Sequence, residues 1–316
     1  MIFKNYLRVF PSGMQLCLFM CFFLLLMSLC ASFMPMVIRY GTGQQIDLSA
    51  FVDGAFVHYP RVYQVMNLIQ QLFMFLLPAL IFAYLAHPDP LGYLGLVKPA
   101  KPQLALWVVV LAIGMLPALL ILTNWLQHID LGAWAREMQE SRARYESVYF
   151  KSKTPAAVLW NVMLVGIIPA ICEEIFFRGI ILKFLHTWIR RPWLSIICSA
   201  MVFASVHGSV YNFLPITITG IALAWVYFQT SCLWLNILLH LVFNSMQVLM
   251  VYVLAPGQQE SDAVGSMSLQ LLIFGAGVAL IAIAAYFIHN SRTPLPQGWG
   301  VKELPSDNQD ISKSVK

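Results

Sequence analysis

About eight apolar runs, each near the ~20 residues that an α-helix needs to cross a bilayer, recur along almost the whole of this 316-residue chain. They lie at roughly 14–37, 64–86, 103–126, 154–182, 193–209, 213–229, 231–255 and 268–289. No other feature narrows the possible folds as much. Each backbone amide in hydrocarbon must be satisfied within the protein, which leaves helices or a closed barrel, and the runs lack the alternation of barrel strands. The expected fold is therefore all-α: a polytopic membrane helix bundle of about eight transmembrane helices. Composition agrees, since 59% of residues are hydrophobic and only 10% are charged, too little polar surface for a soluble domain of this length. No segment is left over for a soluble catalytic domain.

The first run follows Lys4 and Arg8; it is longer than the core of a signal peptide and no small-x-small site follows it, so it reads as an uncleaved anchor. Residues 127–153 carry Trp134, Met138, Tyr145, Val148 and Tyr149 at helical spacing with charges opposite, the pattern of an amphipathic helix in the membrane interface or of a solvated connecting helix. The organisation read from these patterns is three spans and the amphipathic segment over 1–153, a four-span core over 154–255, a last span over 256–292, and a polar, proline-containing tail over 293–316 with the composition of disorder.

The net charge of +5 comes from basic residues lying mostly between the runs, which suits lipid headgroups rather than nucleic acid. With both termini in the cytoplasm, the inner segments collect more Lys and Arg than the outer ones, Lys98, Lys101, Lys183, Arg190, Arg191 and Arg292 among them. The expectation is a bacterial cytoplasmic membrane protein with N-terminus and C-terminus inside. The six cysteines fall in or beside apolar runs without C-x-x-C spacing, which argues for packing rather than disulfides or a zinc knot.

One short stretch breaks the apolar pattern: ICEEIFFRGII, residues 171–181. An ionised side chain near mid-membrane costs several kcal/mol, so three in six residues need partners, water or a function. Glu174 and Arg178 stand at i and i+4 in the favourable order for a helical ion pair. Glu173 is turned about 100° from Glu174 and keeps an uncommitted carboxylate. Two further polar patterns interrupt later runs, FASVHG with His207 and HLVFNS with His240 and Asn244. Acid, imidazole and amide together are what a hydrolytic site requires. If the fourth and fifth runs form a hairpin turning at Arg191-Pro192, Glu173 and His207 lie about 27 and 23 Å from the turn, at nearly equal depth. His240 fits less well, displaced by about 10 Å in ideal straight helices, so tilt or a kink must close the gap.

EEIFFRG, FASVH and HLVFN together resemble the Glu-Glu-x-x-x-Arg, Phe-x-x-x-His and His-x-x-x-Asn motifs of the CPBP family of intramembrane proteases, which includes type II CaaX prenyl endopeptidases and bacteriocin-processing or immunity proteins. The resemblance covers about 154–250. It implies an endopeptidase acting on a membrane-associated peptide or protein, near the cytoplasmic side of the bilayer. Glu173 would activate the attacking water with help from His207, His240 and Asn244 would stabilise the oxyanion, and Glu174 and Arg178 would hold the helix. The family is often labelled metalloprotease, and Glu173, His207 and His240 could bind zinc with one open position; a glutamate-activated water needs no ion, and the metal-free route is the favoured expectation. The alternatives are a non-enzymatic scaffold or bacteriocin-immunity factor with the same fold, and a transporter using Glu173 for proton coupling.

Overall fold

The computed structural model describes residues 7, 10–150, 152–253 and 267–293. Lys4 and Arg8, and the expected disordered tail from 294 onward, lie outside the described residues. Among the described residues, eleven helices carry the fold: α1 Ser12–Thr42, α2 Leu48–Asp53, α3 Pro60–Ala86, α4 Pro90–Leu94, α5 Leu104–Gln127, α6 Ala133–Ser147, α7 Pro155–Ile189, α8 Pro192–Ser205, α9 Phe213–Thr230, α10 Leu233–Val253 and α11 Met267–Asn290. No strand occurs among the described residues. The chain is an all-α polytopic membrane bundle.

Helix starts follow local chemistry. Proline opens α3, α4, α7 and α8 at the first turn, where its missing N–H has no intrahelical partner to lose. Asp89 accepts from the Gly92 amide and Thr154 from the Ala157 amide, capping α4 and α7. Among the described residues, seven helices are long and apolar enough to span a bilayer. The expected fifth span is a correction: α8 has only 14 residues, roughly 21 Å, and stops at Ser205. The chain then turns through Gly208, whose φ is +57°, so His207 lies in the turn rather than on a helix. The expected fourth span is longer than anticipated, with 35 residues in α7.

Within hydrocarbon, helices are held by close packing and hydrogen bonds rather than by the hydrophobic effect. The crossing of α5 and α11 shows this. A Cβ on Gly114 would sit 2.8 Å from the Gly277 carbonyl, and one on Gly277 would sit 2.7 Å from the Gly114 carbonyl, so the two backbones touch only because both residues are glycine. A second packed centre surrounds the rings of Phe19, Phe82, Phe176, Phe177 and Phe184, which join α1, α3 and α7. A third ties the amphipathic helix to the bundle: Tyr145 stacks on Phe56 and Tyr63, and Val148 is buried beside Ile38 and Phe51. Trp134 and Met138, on the same helix, remain exposed.

Three basic residues do not behave as free loop charges. Lys183 is buried, its ammonium 4.2 Å from the centre of the Tyr93 ring, and so drops out of the inner-loop count. Arg136 and Arg142 on α6 pair with Asp130 and Glu146 at 3.3 and 2.6 Å.

Candidate functional site

The centre of α7 departs from α-helical geometry twice. Val162–Ile167 and Phe177–Ile181 are π-helical, and the α-helical turns between them carry Glu173 and Glu174. Such wide turns shift the angular phase of the residues that follow and are frequent at functional sites. A third π segment, Leu72–Leu76, begins directly after Gln71 on α3.

Glu174 has no exposed surface and is fully committed. Arg178 Nη1 donates to its Oε1 at 2.8 Å, His240 Nδ1 donates to the same oxygen at 2.9 Å, and Asn236 Nδ2 reaches Oε2 at 3.5 Å. Arg178 Nη2 also donates to the Gly220 carbonyl at 3.2 Å, while its guanidinium lies 4.5 Å from the Phe203 ring centre. This pairing matches the i,i+4 expectation. The expectation omitted the histidine: Glu174 also orients the ring of His240.

Because a carboxylate only accepts, the Nδ1 of His240 carries the proton of that bond. The other ring nitrogen, Nε2, faces Glu173 Oε2 at 3.9 Å. That is too long for a hydrogen bond; an atom lying off the axis can reach both. The shortfall in depth expected for His240 is thus absent, closed by a bundle in which α7 carries π turns and α10 packs along it. His207 is fixed in the same way, with Nδ1 donating to the Phe203 carbonyl at 2.8 Å and Nε2 left as the uncommitted nitrogen. Phe203 is the shared spacer, its ring 4.7 Å from His207 and 5.9 Å from His240.

Glu173 is 6% exposed, and that exposure opens into a cavity of about 740 Å³ that His207 also lines. Asn244 stands one turn beyond His240 on α10; its Nδ2 donates to the Val165 carbonyl at 3.2 Å, in the first π segment. One of its two N–H bonds is therefore spent on helix packing.

Two site residues were missed from sequence. Gln71 donates to Glu173 Oε1 at 3.2 Å. Its signal was present as Gln64, Asn67 and Gln71 at i, i+3 and i+7 in an apolar run, one helical face. Asn236 donates to the Leu223 carbonyl at 2.6 Å and supports Glu174. It precedes His240 by four residues as Asn244 follows it by four, so the face that presented two polar residues presents three.

Among the described residues no three His, Cys, Asp or Glu lie together as a group that could hold a metal. No step below passes through a metal.

The cavity opens at the end of the bundle where α1 finishes and α6 lies, lined there by Gln127, Arg142, Tyr149 and Asn212. That end is opposite the start of α1. With a cytoplasmic N-terminus, this end of the cavity faces the outer side.

A bundle of membrane helices with a buried Glu-Arg-His network beside a carboxylate-bearing cavity defines a class of polytopic membrane protein. Within it, residues 155–246 match the family described as "Type II CAAX prenyl endopeptidase Rce1-like", the same stretch over which the three motifs resemble the CPBP family. The chain is also similar to the protein named "Putative membrane peptidase YdiL" of Bacillus subtilis (strain 168), 32% identical over 94 residues, or 30% of this chain and 38% of that protein. The chain thus spans well under half of the length of the curated relative it matches. No solved structure matches it.

Proposed function

We propose that this chain is an intramembrane endopeptidase that hydrolyses a peptide bond of a membrane-associated peptide or protein through a water activated by Glu173. The observation that carries this reading is the division of labour between adjacent acids. Glu174 is consumed by Arg178 and His240, whereas Glu173 keeps an oxygen facing His240 and borders the cavity.

In the reaction, water held between Glu173 and the free Nε2 of His207 gives a proton to the Glu173 carboxylate as its oxygen bonds the scissile carbonyl carbon. The negative oxygen of the tetrahedral intermediate is met by the remaining N–H of Asn244 and by His240, whose Nε2 can donate only when the ring is doubly protonated, with Glu174 as counter-charge. Collapse breaks the C–N bond, and the proton held by Glu173 goes to the leaving nitrogen. Positioned acid-base groups of this kind contribute roughly 10²- to 10⁴-fold. Every group in this scheme comes from the chain itself.

The bias of basic residues supports a cytoplasmic N-terminus, which turns the cavity mouth to the outer face. The test is to incubate purified protein in lipid nanodiscs with a complex mixture of apolar peptides and read the products by mass spectrometry. New termini in the wild-type sample that are missing with Glu173→Gln support the proposal; identical product lists overturn it.

A further inference from the structure

We propose that the cavity grips an extended substrate by its main chain, through side-chain amides, and that Gln71 is the innermost of these contacts, a positioning residue beside Glu173. This rests on the endopeptidase reading and specifies what that site recognises.

The first observation is the state of Gln71. Its Nε2 donates to Glu173 Oε1 at 3.2 Å, and since a carboxylate only accepts, the amide orientation is set by chemistry. Its Oε1 therefore points away from that oxygen. It is buried, and no protein group donates to it. A buried acceptor without a donor is costly, and this one belongs to the same side chain that touches the catalytic carboxylate and lines the cavity.

The second observation is the cavity wall. Gln127 at the end of α5, Gln139 on α6 and Gln247 on α10 all line it, and none of the three side chains has a hydrogen bond to another described residue. With Gln71 they bring one amide from each of four separate helices. An amide side chain carries one carbonyl and one NH₂, the same pair of functions as a peptide group, so such a wall complements a backbone whose N–H and C=O groups alternate. The charges nearby offer little side-chain selection, because Arg142 and Glu146 pair with each other at 2.6 Å. A volume of about 740 Å³ holds a short peptide segment rather than a folded domain. The ligand class is thus an extended, uncharged stretch of polypeptide, read by its backbone, with the N–H nearest the scissile bond donating to Gln71 Oε1.

The test uses peptides that the wild type cuts in the mixture assay, resynthesised with a single N-methyl group at each backbone position around the cleaved bond. N-methylation removes one N–H and leaves the side chains unchanged. For the wild type, one position should lower kcat/KM by roughly tenfold or more. In Gln71→Met, similar in size but without donor or acceptor, that position should lose its penalty while the other positions keep theirs. Gln71→Asn, which retains the amide on a shorter stem, should restore part of the discrimination, and thermal unfolding in the nanodisc checks that each variant is folded. The same penalty at the same position in wild type and Gln71→Met overturns the inference and leaves the endopeptidase reading standing. No wild-type cleavage beyond that of Glu173→Gln removes the endopeptidase reading and this inference with it.

Discussion

His240 and Glu174 share a hydrogen bond of 2.9 Å from Nδ1 to Oε1, and it ties the third motif of the chain to the first across 66 positions. The bond fixes which ring nitrogen looks toward Glu173. It also makes the ion pair of Glu174 with Arg178 part of the site rather than a separate packing device. Orienting partners of this kind hold reacting groups in productive geometry.

Removing one member of that network leaves a buried charge without its partner, so Glu174→Gln is expected to lower stability by about 3–5 kcal/mol, whereas Glu173→Gln lowers it little. Thermal unfolding of the two variants in the same lipid shows whether the acids differ in this way. Replacing both partners, as in Glu174→Leu with Arg178→Met, should recover part of the stability without restoring cleavage.

Most of the helix plan was legible because a bilayer imposes one length on every span. The two adjacent acids could be told apart because 100° of helical rotation separates neighbours. What escaped has physical reasons. Gln71 acts on Glu173 from 102 positions away, and a polar stripe on one helix does not announce which partner it meets. The depth of His240 required a departure from ideal straight rods, and α7, which packs beside it, carries π turns. His207 was placed on a helix, although Gly208 with its positive φ ends the regular structure just there. Lys183 was counted as a loop charge, but its stem and ammonium are buried against Tyr93.

The cover of the cavity mouth should loosen in alkali. Burial raises the pKa of Tyr149, against a smaller lowering by its hydrogen bond from Asn67. A phenol raised on folding contributes stability that is complete below its unfolded value of about 10 and is lost as pH climbs through the higher folded value. Unfolding temperature should therefore fall above about pH 10, and Tyr149→Phe should show a smaller fall. Equal slopes in the two proteins would remove Tyr149 from the account.

Orientation can be read directly. A membrane-impermeant maleimide added to intact cells should label Glu140→Cys, on the exposed face of α6, and spare Lys98→Cys, exposed between α4 and α5. The reverse pattern would place the N-terminus outside and the cavity mouth in the cytoplasm.

Metal removal should leave cleavage intact. Since the described side chains offer no three-donor group, dialysis against a strong chelator is expected to change the rate by less than about twofold, where loss of an essential ion removes whole decades. Zinc-dependent recovery after chelation would require a different arrangement of Glu173, His207 and His240.

The most direct measurement is single-turnover cleavage of one identified peptide by wild type and Glu173→Gln, with unfolding temperature recorded for both. The account predicts that the chemical step slows by about 100-fold or more while the unfolding temperature stays nearly unchanged. A Glu173→Gln protein that is equally stable and cuts within about threefold of wild type would contradict it, since the carboxylate that Gln71 touches would then not be the base.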